Sequence, residues 1–362
     1  MSALKDSRAK DARVGMTSPD KVSRIRQLSL HAVLWTTYLL ATLQFLRSYF
    51  IINQPYLDAH RYESGTERLP YQSRMLLSVV MRYANNNYWM NRIASHFGDP
   101  FRNPDVLALL LVDIVAFLLL GVVVRMFYRH LSQTHGGRLS WLPFALVLWM
   151  ASATYIVRFQ EAIYFPYDLP AAFLFTLCVY LSYVSRYALL LPLFVFCCFN
   201  RETTIMVVPL VLINMWFPSQ QPRRRWIEVA VATTMTVAWI CIRGYFLRRY
   251  AGNSDDMGLM VSRNIHFLAS PQTWSQIASA CGFLLPVPLL FWRFLPERRL
   301  RAYSLLIPAW LIIMFLVGLL PESRVFGELI GLVAVLCTLI FERAYGIRSK
   351  HVGSASMDGS CC

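Results

Sequence analysis

Acids and arginines, more than histidines or cysteines, are the residues of this chain whose placement suggests chemistry. Asp58 stands in Gln-Pro-Tyr-Leu-Asp-Ala-His-Arg-Tyr-Glu, shortly after a long apolar run, and Glu63 closes the same stretch. A carboxylate there can take a proton from an acceptor hydroxyl or hold a divalent metal; it can equally be a solvated loop aspartate near a turn-favouring proline. Arg74 follows. Arg158, Glu161 and Asp168 share the stretch Arg-Phe-Gln-Glu-Ala-Ile-Tyr-Phe-Pro-Tyr-Asp-Leu-Pro. Arg158 and Glu161 have the spacing of a mutual pair, and Asp168 before Pro170 fits an N-cap or first helical turn. In Asn200-Arg201-Glu202-Thr203-Thr204, Asn200 reads as an N-cap and Glu202 suits the helix dipole. Capping leaves Arg201 unexplained, and an arginine beside a helix start is a favourable place for a phosphate. Glu322, Arg324 and Glu328 form the last set, in which Arg324 and Glu328 have the i,i+4 spacing of a helical pair.

Other chemistries find no support. The histidines are scattered, without HExxH spacing, and the cysteines Cys178, Cys197, Cys198, Cys241, Cys281 and Cys337 lie in or beside apolar runs as small packing residues. Cys361 and Cys362 end the chain without the C-a-a-X form of a prenylation site. There is no Walker loop, GxSxG or Gly-rich nucleotide motif, which argues against ATP hydrolysis and serine-hydrolase chemistry.

The elements that position these residues are apolar. Of 362 residues, 56% are hydrophobic and only 15% charged, too little charge to cover a soluble protein of this length. Runs near 20 residues recur, each long enough for a hydrocarbon core about 30 Å thick. The expected fold is all-α: a polytopic bundle of about ten spans near 28–50, 105–126, 141–157, 169–185, 188–199, 203–217, 227–246, 277–295, 303–320 and 327–343. Residues 1–27 read as a basic cytoplasmic tail before a retained first span, 28–346 as the membrane domain, and 347–362 as a disordered Gly/Ser-rich cytoplasmic tail. The first outer loop, 51–104, contains an amphipathic stretch from Arg74 to Tyr83 that reads as an interfacial helix.

The net charge of +15 sits in short clusters between apolar runs, the place of topology signals and of contacts with anionic lipid, so the expected partner is the lipid bilayer and no nucleic acid. The positive-inside rule puts both termini in the cytoplasm. Residues 188–217 decide the register of that topology. A single helix would bury Arg201 and Glu202 at mid-membrane; two short helices broken at Asn200 put them at the outer surface and are favoured. All the acid–arginine sets then gather on the outer face. Asp113 is a separate case, a carboxylate well inside the second span that faces a cleft or a neighbouring helix.

This pattern resembles the GT-C superfamily of membrane glycosyltransferases. The resemblance is carried by Tyr167-Asp168-Leu-Pro-Ala-Ala-Phe-Leu-Phe-Thr-Leu, by Asn200-Arg201-Glu202-Thr203, by Pro70-Tyr71-Gln72-Ser73-Arg74-Met75-Leu76 and by Glu322-Ser323-Arg324, and it spans most of residues 28–343. It implies a polyprenyl-phosphate sugar donor, a glycan, lipid or protein acceptor, an acidic base in the first outer loop, and often a divalent metal (Mg or Mn). Asp58 matches the place of that base and of a metal ligand, with Glu63 second. Arg74, Arg158, Arg201 and Arg324, with Glu161, Asp168, Glu202 and Glu322, are the expected donor-binding set. The first loop departs from the family in having no Asp-x-Asp or Glu-x-Asp pair. An O-antigen-type polymerase or ligase would carry its large loop late in the chain, whereas here the longest loop is the first. A transporter would show internal repeats and more mid-membrane charge than Asp113.

Overall fold

A computed structural model describes residues 18–135, 139–157, 163–217, 224–254 and 258–346. Arg158, Glu161 and the 347–362 tail lie outside the described residues. The chain is predominantly helical. Its one sheet among the described residues is a two-residue parallel pairing of β1 (Gln54–Pro55) with β2 (Ile163–Tyr164).

Among the described residues five stretches are long and apolar enough to cross a membrane, as expected of an integral membrane protein: Leu28–Ile52, Pro104–Ser132, Arg225–Arg249, Arg298–Val317 and Ser323–Ala344. They belong to α1 (Ser18–Ile52), α5 (Pro104–His135), α10 (Arg224–Arg249), the pair α14 (Arg298–Ser304) and α15 (Leu306–Val317), and α16 (Ile330–Ala344). The first helix begins at Ser18, inside the stretch expected to be tail. Shorter apolar helices are α6 (Leu142–Tyr155), α7 (Asp168–Tyr183), α8 (Tyr187–Cys198) and α9 (Val207–Trp216). Large apolar side chains such as Val33, Leu40, Val115, Ile240 and Ile312 point outward from these helices, the arrangement a lipid solvent permits.

One expected helix is absent. Residues 277–295 have a span's hydropathy, yet they break into α12 (Pro271–Ser279), a turn at Ala280–Phe283, α13 (Val287–Leu290) and a turn at Trp292–Phe294. Cys281, Gly282 and Phe283 have left-handed backbone, and Pro286 and Pro288 follow. Gly282 is required there. A Cβ would stand 2.3 Å from Trp149 Nε1, which donates 3.0 Å to the Gly282 carbonyl. This broken stretch still joins the two ends of the bundle. Before it, the Met260 N–H bonds the Leu316 carbonyl at 2.8 Å; after it, Arg343 Nη1 donates to Phe294 O at 3.4 Å. Such backbone is tolerated at membrane depth where protein encloses it, and Cys281 is fully buried.

The break at Asn200 is observed. Asn214, near the end of α9, donates to Tyr187 Oη at 3.4 Å and to Ser182 O at 2.9 Å, at the start of α8 and the end of α7. The chain therefore reverses between α8 and α9, and the two helices form an antiparallel hairpin. Polar groups sort to its two ends: Arg299, Tyr303, Asn214 and Tyr183 at one, and Arg201, Asp168 and Glu328 at the other.

The first long loop is built on the second of these ends. It carries α2 (Ala59–Ser64), α3 (Leu76–Asn86) and α4 (Tyr88–Ala94). The Leu76 N–H bonds the Phe199 carbonyl at 3.2 Å, and Leu69 N–H the Ser254 carbonyl at 2.9 Å, so the loop is tied to the break and to the chain after α10. The expected amphipathic stretch from Arg74 to Tyr83 is mostly α3.

Candidate functional site

Arg74 follows a one-turn helix (Tyr71–Ser73) and has little exposed surface. Its guanidinium grips Glu202 with two nitrogens, one of them Nε at 2.9 Å, and Nη1 donates to Tyr167 Oη at 2.7 Å. It also lies 4.6 Å over the Tyr167 ring. The Arg74 carbonyl accepts from the buried Tyr62 hydroxyl. Burial alone would lower the Arg74 pKa, but the Glu202 carboxylate outweighs it and holds the guanidinium well above the ordinary arginine value. Trp239 Nε1 donates to Glu202 O at 2.9 Å, and Arg243 Nη1 to Ser73 Oγ at 2.7 Å, so α10 braces both partners.

Arg201 is buried between two acids. Nη1 is 3.5 Å from Asp168 Oδ1, and Nε is 3.0 Å from Glu328 Oε1, an ion pair without hydrogen-bond alignment. Glu328 also accepts from Thr203 Oγ1 at 2.7 and 2.9 Å. The arginine that capping left unexplained is thus accounted for by counter-ions on α7 and the turn before α16, and it is not open to an incoming phosphate. Asn200 does not cap the next turn. Arg201 occupies that position, and Asn200 Nδ2 donates to Tyr167 O at 3.4 Å.

The expected Arg324–Glu328 pair does not form. Ser323–Leu329 winds as a 3₁₀ helix, and at three residues per turn i and i+4 leave a common face. Arg324 Nη2 instead meets Glu322 Oε2 at 2.6 Å, and its guanidinium lies 3.6 Å from the Phe165 ring centroid. Gly327 in this turn is fixed by contact: a Cβ would fall 1.8 Å from Tyr155 Oη.

Aromatic rings that the sequence did not single out connect these arginines. Tyr56, Tyr71 and Phe165 pack in tilted and edge-on contacts with centroids 4.8 to 5.7 Å apart, and Phe165 lies 5.5 Å from Tyr167. Arg68 caps the open side, 4.9 Å over Tyr56 and 5.3 Å over Tyr71. Burial, and the neighbouring Tyr56, push the Tyr71 hydroxyl up to about 12, so it stays a neutral donor. Below lies a cavity of ≈ 80 Å³ bounded by Leu57, Ala59, Tyr62, Tyr164 and Asp105. Asp105 is 3% exposed, and its Oδ1 accepts the Val106 N–H at 2.9 Å. An acid in the first turn after Asn-Pro was the available sequence signal for it.

The structure therefore brings together Arg74, Asp168, Arg201, Glu202, Glu322 and Arg324. Asp58 and Glu63 stand apart from them: among the described residues no ion pair joins either acid to Arg74, Arg201 or Arg324, and Asp58 Oδ2 instead lies 4.0 Å from Arg61 Nε. Asp58 is the N-cap of α2: Oδ1 accepts the Arg61 N–H at 3.1 Å, and the side chain is 56% exposed. Glu63 Oε1 accepts from Asn85 Nδ2 at 2.7 Å. Among the described residues no group of three or more His, Cys, Asp or Glu could hold a metal ion. Asp113 is buried in α5 at 2% exposure, with Oδ1 lacking a hydrogen-bond partner.

Fold and site together define a helical membrane protein with an arginine- and aromatic-rich end. Comparisons with known protein families, with curated proteins and with solved structures find no match.

Proposed function

We propose that this protein is a membrane glycosyltransferase that moves a sugar from a polyprenyl-phosphate donor to a glycan, lipid or protein acceptor. The observation that supports this reading is the aromatic set Tyr56, Tyr71 and Phe165 with Arg68 and Arg324 against its faces, at the end of a bundle of apolar helices. Ring faces offer apolar area with polar edges, which suits a sugar ring. Guanidinium forks suit phosphate oxygens. Outward apolar helix faces suit a prenyl tail.

In this reading the acceptor oxygen attacks the anomeric carbon and the bond from that carbon to the phosphate oxygen breaks. The electron pair leaves with the phosphate, where Arg68 and Arg324 meet the developing charge. Asp58, an open carboxylate two residues from Tyr56, takes the acceptor's proton. Arg74 and Arg201 are positioning residues that hold Tyr167 and the turn at Asn200. No step runs through a metal.

The topology that goes with this reading has ten crossings, one of them the broken stretch 271–294, with both termini in the cytoplasm of a bacterial-type inner membrane. Reporter fusions after Gln221 and at the C-terminus should both report cytoplasm. The activity is tested by mass spectrometry of lipid-linked sugars and envelope glycans in cells with and without the gene. Accumulation of an unused polyprenyl-phosphate sugar with loss of one glycan modification is expected; identical profiles would contradict the reading.

A further inference from the structure

The far end of α5 carries an arginine of a different kind. Arg125 is 7% exposed, and its Nε is enclosed without a hydrogen-bond partner. Its guanidinium lies 5.5 Å over the Trp35 ring of α1 and 5.8 Å over the Phe144 ring of α6. These walls are fixed. Trp35 and Phe144 centroids are 5.0 Å apart, and Tyr38 packs 4.9 Å from Phe144. The Tyr38 hydroxyl donates to Phe117 O at 2.9 Å, and its ring fills the space over Gly121, where a Cβ would stand 2.6 Å away.

Nothing in these helices supplies a counter-ion. The sequence has no Asp or Glu from residue 21 to 57, nor from 114 to 160, which covers nearly all of α1, the rest of α5 and all of α6. The described acids at this end are engaged elsewhere: Glu342 takes the Tyr128 hydroxyl and, at 2.7 Å, the Leu139 N–H, Glu297 takes the Tyr183 hydroxyl at 2.5 Å, and Glu228 the Tyr187 hydroxyl at 3.1 Å. A guanidinium in such surroundings is unfavourable unless an anion completes it. Twenty residues of helix separate Arg125 from Asp105, roughly 30 Å at the α-helical rise, which is the thickness of a hydrocarbon core. With Asp105 at one boundary of the bilayer, Arg125 is therefore at the other, and Arg129 stands exposed one turn further out.

We infer that Trp35, Arg125 and Phe144 form a binding site for a phosphate group at the membrane boundary opposite the Arg74–Arg201–Arg324 end. The fork of Arg125 takes two phosphate oxygens, Arg129 adds a second positive charge, and the aromatic walls keep water from competing. The phosphate is that of a phospholipid headgroup or a free phosphate. The site does not depend on the transferase reading.

The test uses the delipidated full-length protein in detergent, with native mass spectrometry after adding phosphatidylglycerol, diacylglycerol or inorganic phosphate. Wild type should retain phosphatidylglycerol and not diacylglycerol, which has the tails without the phosphate. Displacement of the lipid by millimolar inorganic phosphate assigns the site to free phosphate; persistence of the lipid adduct assigns it to the headgroup. Arg125→Gln should weaken retention roughly tenfold or more, and Arg125→Lys should restore part of it. Equal retention of phosphatidylglycerol and diacylglycerol by the wild type overturns the inference, whether or not the variants fold. So does an Arg125→Gln protein that melts like wild type and keeps its phosphatidylglycerol.

Discussion

The two ends of the bundle treat buried arginine in opposite ways. At one, Arg74 and Arg201 each meet a carboxylate on another element: Glu202, and Asp168 with Glu328. At the other, among the described residues, Arg125 meets the faces of Trp35 and Phe144 and no carboxylate. A buried arginine held by acids of other elements is a fastening; one with no carboxylate beside it is completed from outside. The difference teaches that outward placement is a poor guide to ligand binding. Arg201, singled out from sequence for phosphate, is neutralised within the fold, whereas Arg125 drew no notice and is left open.

The comparison breaks first at Arg201. Arg201→Met removes the guanidinium from between Asp168 and Glu328 and leaves two buried carboxylates facing each other. A loss of about 3–5 kcal/mol of stability is expected, measured as denaturant unfolding in detergent micelles. A change under about 1 kcal/mol would mean that the pair is already hydrated, and that Arg201 is accessible after all. Gly327→Ala strains the same corner by setting a methyl on the Tyr155 hydroxyl. The cost should be about 1–3 kcal/mol, and Tyr155→Phe in the same chain should recover part of it.

Asp58 separates structure from chemistry. Asp58→Ala removes the N-cap of α2 and should cost about 1 kcal/mol, whereas Asp58→Asn keeps a capping oxygen and should melt with wild type. If Asp58 is the base, the Asn variant still loses turnover by about 10²–10⁴-fold. The smallest effect is expected at Arg125. In lipid-free detergent Arg125→Gln should change stability by less than about 1 kcal/mol, or raise it, because it removes a charge with no internal partner. A loss as large as that of Arg201→Met would reveal a counter-ion among the residues around it and erase the contrast.

The helical class and the long apolar helices were legible in the sequence because apolar run length is a local signal. The reversal at Asn200 was legible for the same reason: Arg201 and Glu202 are too polar for mid-membrane. The partners were not legible. Arg74 and Glu202 are 128 residues apart, and no spacing rule reaches that far. Arg324 changed partner because a 3₁₀ turn stands where an α-helix was expected. The 277–295 run has the hydropathy of a span, and hydropathy does not register the left-handed turn at Cys281–Phe283 that Trp149 pins. The ring cluster escaped notice because the chain has 23 Phe, 18 Tyr and 10 Trp, so aromatic residues at any one place carried no signal until the fold packed four of them together. Asp58 was found as a carboxylate after the first span; its role as a cap became visible only with the short helix it begins.

The central claim is that the Arg68–Tyr56–Tyr71–Phe165–Arg324 end handles a phosphate-linked sugar. It is tested most directly by reconstituting the purified protein in proteoliposomes with a panel of radiolabelled polyprenyl-phosphate sugars and an envelope extract as acceptor. Release of polyprenyl phosphate with label appearing in acceptor, by wild type and not by Arg68→Ala/Arg324→Ala, is the predicted result. No label transferred from any polyprenyl-phosphate sugar, or transfer undiminished in the double variant, would contradict the account.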